Sequence, residues 1–84
     1  MEIIITEIAQ RIRDLREIMG YSVEEMAQAV DCTTEEYIAA ENGEVDFSFT
    51  FIYKCAEKFD VDMIELLTGD NPRLSFYSIA VSYT

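Results

Sequence analysis

Eighty-four residues with seventeen acidic and six basic side chains, and no histidine, leave a formal charge of −11. This is one small domain, without the basic excess of most nucleic-acid binders. Half of the residues are hydrophobic, which excludes a disordered tail, and no apolar run reaches the ~20 residues that span a bilayer or the core of about 7 to 15 in a signal peptide.

In chain order, Ile8, Ile12, Leu15 and Met19 recur at i, i+4, i+7 and i+11, which predicts a first helix over residues 6–19, ended by Gly20-Tyr21. Ser22-Val23-Glu24-Glu25 reads as a capping box, because a hydroxyl followed three positions later by glutamate satisfies two orphan amides reciprocally. It opens a second helix through Val30, with Met26, Ala27 and Val30 on one face. Thr33-Thr34-Glu35-Glu36 opens a third helix through Glu41, with Tyr37 and Ala40 inward and Asn42-Gly43 as its stop. Residues 48–59 predict a fourth helix with Phe49, Ile52, Cys55, Ala56 and Phe59 inward. A strand is a rival there, since Phe47, Phe49 and Phe51 alternate with polar residues, but the lysine, glutamate and alanine that follow favour helix. Asp62-Met63-Ile64-Glu65 reads as a third box, opening a last helix that carries Leu66 and Leu67 and stops near Gly69.

The segment Leu74–Thr84, LSFYSIAVSYT, is uncharged and rich in aromatic, β-branched and hydroxyl residues, so it reads as a strand. It needs a pairing partner, for which residues 3–5, a second copy or sequence beyond residue 84 all remain open. The reading is thus all-α, with a five-helix domain over 1–70 and an extended tail over 71–84.

Cys32 and Cys55, without a CxxC pair or histidine, do not make a structural zinc site and read as small core residues in a cytoplasmic protein with reduced thiols. No histidine, glycine-rich phosphate loop or serine elbow is present, so neither an enzyme nor a cofactor is expected.

Two capped helices joined by a tight turn are the elements of a helix-turn-helix. The run IAQRIRDLREIMGYSVEEMAQAVDCTTEEYIAAENG, residues 8–43, resembles the Cro/phage-repressor (XRE) type of helix-turn-helix, and the resemblance continues through AEKFDVDMIELLTG at 56–69. Its most specific pieces are Arg13-Asp14-Leu15-Arg16, the Ser22–Ala27 opening and Glu41-Asn42-Gly43. From Tyr37 through LLTGDNPRLSFY the chain is similar to the N-terminal domain of bacterial XRE-cupin regulators. That likeness implies a compact lambda-repressor-like fold, a homodimer, and a sensor domain beyond Leu74 through which a small ligand would act. It also implies a buried ion pair between Arg16 and Glu41. Thr34, Glu35, Ile38 and Ala39 then match positions that meet base edges, Val23 stands where relatives often carry a glutamine that reaches the DNA backbone, and Thr33, Asn42 and the amides at the helix starts match phosphate contacts.

The base-reading chemistry of the third helix is sparse. Arginine and lysine suit guanine, and asparagine and glutamine suit adenine, but none lies between Thr33 and Glu41. With Arg16 paired, only Arg11, Arg13, Lys54, Lys58 and Arg73 remain for phosphates, so a DNA-binding regulator domain of this sequence is expected to bind weakly unless dimeric. The alternative is a helix-turn-helix-shaped module for protein contact. Phe47 and Phe51, four positions apart with Tyr53 nearby, form either a partner surface or a cover for the third helix and first helix.

Overall fold

The computed structural model describes residues 4–69. Five helices follow one another there: α1 Ile5–Met19, α2 Val23–Ala29, α3 Thr34–Glu41, α4 Phe49–Phe59 and α5 Met63–Thr68. The tail expected over 71–84, its strand and any sensor continuation lie outside the described residues. The strand alternative for residues 47–51 is overturned, since Phe49 and Phe51 belong to α4.

The short helices start where side chains make them start. Ser22 Oγ accepts from the Glu25 amide at 3.0 Å while Glu25 Oε1 accepts from the Ser22 amide at 3.0 Å, a complete box. Thr33 and Glu36 repeat the pattern at 3.1 and 2.9 Å. Ser48 opens α4 by accepting from the Phe51 amide at 3.2 Å. The third predicted box is a simpler cap: Asp62 accepts from the Ile64 amide at 3.0 Å, one residue earlier than the reciprocal arrangement with Glu65 requires. A helix of seven or eight residues is marginal alone, and each such cap contributes ~1 kcal/mol.

The caps orient apolar faces toward one core. Ile8, Ile12 and Leu15 of α1, Met26 and Ala27 of α2, Tyr37 of α3, Ile52, Cys55 and Phe59 of α4 and Leu66 of α5 are all buried. Full burial of an aliphatic or aromatic side chain stabilises by ~1.5–3 kcal/mol, and this cluster joins all five helices. α1 packs against α3, α4 and α5, while α2 lies against α3 and α4. Burial pushes the Cys55 thiol up to about 12, so it sits in the core as a neutral group.

One inward assignment is corrected. Phe49 is 63% exposed. Its direction matches the α4 stripe, but it stands at the first residue of the helix, beside an open cleft lined by Ile5 and Leu67 instead of packed side chains.

α5 is held by a cation. Arg11 Nη1 donates to the Leu66 carbonyl at 2.7 Å and the Leu67 carbonyl at 3.3 Å, placing positive charge at the end of α5 where carbonyls lack helical partners. Gly69, at φ +68°, closes that helix, and a β-carbon there would come within 2.4 Å of Arg11 Nε.

Candidate nucleic-acid interface

The geometry of α3 follows from its buried side. Tyr37, Ala40 and Glu41 face inward. The opposite side therefore faces out: Thr34, Ile38 and Asn42 form one row at i, i+4 and i+8, and Glu35 and Ala39 form a second row beside it. Glu35 and Asn42 are exposed, Thr34 and Ala39 half-buried, and Ile38 retains 43% of its surface. The structure thus brings together the four residues matched to base edges and places Asn42 at the C-cap of the same helix.

Val23 is the first residue of α2 and packs half-buried against the core. Thr33 is exposed, but its hydroxyl caps α3. The helix-start amides assigned to phosphate are also partly engaged, because the Ser22 and Thr33 amides donate to Glu25 and Glu36. Those bonds from backbone and side chain hold both glutamates below the ordinary carboxylate range, so an anion already occupies each helix start.

α3 is tied to α1 by a bidentate pair. Arg16 Nε donates to Glu41 Oε2 at 2.8 Å and Arg16 Nη2 to Oε1 at 3.0 Å, while Arg16 Nη1 donates to the Tyr21 carbonyl at 3.1 Å. Burial alone would raise the Glu41 carboxyl, but the hydrogen bonds and charge of Arg16, with a further hydrogen bond from Arg13, hold it below the usual range. Desolvation first, and the Glu41 carboxylate second, push the Tyr37 phenol well above its ordinary value.

Sequence reasoning missed a second arginine in this cluster. Arg13 Nε lies 3.4 Å from Glu41 Oε1, and Arg13 Nη2 donates to Asn42 Oδ1, so Asn42 is turned toward α1 through its carbonyl oxygen. The signal was present: Arg13 and Arg16 are three apart and share a side of α1. The remaining cations among the described residues are engaged as well, and Arg73 lies outside those residues. Lys54 Nζ is 3.0 Å from Asp31 Oδ2, and Lys58 Nζ stands 4.5 Å over the Tyr21 ring. Arg11, Arg13, Lys54 and Lys58, expected to be free for phosphates, all have partners inside the fold.

Phe47 and Phe51 stack at 5.1 Å, Phe51 lies 6.0 Å from Tyr37, and both pack half-buried against the core. Phe51 meets α3 through the Tyr37 ring. Tyr53 is 56% exposed and stands apart from that stack. Among the described residues, no group of histidine, cysteine, aspartate and glutamate is arranged to hold a metal, and no helix is long and apolar enough to cross a membrane.

A family model described as a helix-turn-helix domain matches residues 9–72, and the chain belongs to that family, of the XRE type. Fold and family define a DNA-binding helix-turn-helix domain, not an enzyme. Among solved structures, the chain is similar to the restriction-modification controller protein C.AhdI from Aeromonas hydrophila, at 29% identity and a TM-score of 0.69, over 74% of this chain and 94% of that one. No curated protein matches.

Proposed function

We propose that this domain is the DNA-binding part of a cytoplasmic bacterial transcriptional regulator, with α3 as the recognition helix in the major groove. The carrying observation is the outward face of α3. Thr34, Glu35, Ile38 and Ala39 present a hydroxyl, a carboxylate and two apolar groups on one side while Tyr37 and Glu41 anchor the other. Thr34 can meet any base, Ile38 a thymine methyl, and Glu35 the cytosine amino group. The similarity to a controller protein supports the same reading.

The domain works as a homodimer on this proposal. Each copy makes few phosphate contacts, so two recognition helices about one DNA turn, ~34 Å, apart are needed to reach useful affinity. Any ligand would act through a domain joined beyond residue 70.

The test is selection from a random-sequence duplex pool at ~50 mM salt, followed by fluorescence anisotropy on the enriched sites. The expected result is a saturable, salt-sensitive complex in which Thr34→Ala with Glu35→Ala changes the preferred sequence while the fold persists by circular dichroism. No enrichment and no saturation, for a chain verified as a dimer, overturns the proposal.

A further inference from the structure

Beside α3 lies a cleft of about 560 Å³, between that helix, the loop after it and the start of α4. Pockets that bury a small ligand run from ~300 to 1,000 Å³, so this cleft has room for one large side chain. Val30, Ala39, Val45, Phe47 and Phe51 give it an apolar lining. Val45 is 47% exposed, so its side of the cleft is open. Glu35, Glu36 and Asp46 line the same cleft, all three exposed.

We propose that this cleft is a docking site for a short basic segment of a partner protein, with one apolar side chain seated among Val45, Phe47 and Phe51 and flanking lysines or arginines against Glu35, Glu36 and Asp46. Charge complementarity selects this occupant. The acidic edge repels phosphate, and a second copy of a chain with a formal charge of −11 brings like charge to it. The described cations of such a copy are already engaged with Glu41, Asn42, Asp31, the Tyr21 ring and the Leu66 and Leu67 carbonyls. Glu36 remains charged in its role at the Thr33 cap. The cleft shares Glu35 and Ala39 with the outward face of α3, so an occupied cleft covers part of that face. Its consequence for DNA rests on the reading above; the docking itself does not.

The full 84-residue chain, labelled with ¹⁵N, is titrated with the synthetic peptide Lys-Arg-Lys-Leu-Lys-Arg-Lys and with its counterpart carrying serine in place of leucine. The expected result is amide shifts at Val30, Ala39, Val45 and Phe47, and affinity roughly ten-fold higher for the leucine peptide, the effect of seating one aliphatic side chain. Val45→Lys is expected to abolish the shifts. Glu35→Gln with Glu36→Gln, which keeps a residue able to complete the Thr33 box, is expected to weaken binding about ten-fold. Equal affinity for the two peptides, shifts centred elsewhere, or affinity unchanged in either variant overturns the proposal.

Discussion

Glu41 shows how one buried charge organises this domain. Its side chain is 6% exposed and Arg16 opposite it is 16% exposed, so the pair is desolvated, whereas the Arg13 side chain is 36% exposed and its contribution is screened. Removing one partner of a buried pair leaves the other uncompensated, so Glu41→Ala is expected to destabilise by ~3 kcal/mol and Arg13→Ala by less than ~1 kcal/mol, both read from urea unfolding. The pH dependence has a fixed sign. A carboxyl held below its unfolded value contributes stability above that value, ~4.3, and loses it as pH falls through the lower folded value. The gap between wild type and Glu41→Ala should therefore be full at about pH 6 and narrow below about pH 4. A gap that stays constant across that range would show that the carboxylate charge is not what holds α3 to α1.

At the scale of the elements, helix boundaries were legible because they are written in local chemistry. Ser22 with Glu25 and Thr33 with Glu36 need only a spacing of three to be recognised, and both boxes form. Thr33→Ala is expected to cost ~1 kcal/mol and to speed hydrogen exchange in the first turn of α3, whereas Glu36→Gln should retain most of that protection. What the sequence concealed are the contacts made across the fold. Phe49 has the right angular position to be buried, but whether anything lies opposite the first residue of α4 depends on where α1 begins and α5 ends. Arg11 gives no local sign that it will bind carbonyls fifty-five and fifty-six residues away. Gly69 is legible as a stop, yet its second duty, leaving room for Arg11, is not. Gly69→Ala combines a left-handed backbone penalty of ~1–2 kcal/mol with displacement of that guanidinium. It should lower the thermal midpoint and selectively loosen α5 in hydrogen exchange, while Gly69→Asn, better tolerated in that backbone region, separates backbone strain from crowding.

Over the whole molecule the acidity has a cost that no single pair reveals. With seventeen acidic and six basic side chains, the carboxylates far outnumber the cations that could neutralise them, and the net charge of −11 repels itself. Screening that repulsion should raise the thermal midpoint by several degrees between ~10 mM and ~0.5 M salt, opposite to the behaviour of a fold held mainly by surface ion pairs. A midpoint that falls with salt would show the ion pairs outweighing the repulsion. The outward face of α3 was readable in advance because its inward residues were, through Tyr37 and Ala40. The engagement of the cations was not, because long flexible side chains choose partners only after the helices have packed. All three arginines of α1 reach across to hold another part of the chain or the turn at its own end. During synthesis α1 emerges from the ribosome before α3 and α5, so the arginines that hold those two helices are made ahead of the carboxylate and carbonyls that receive them.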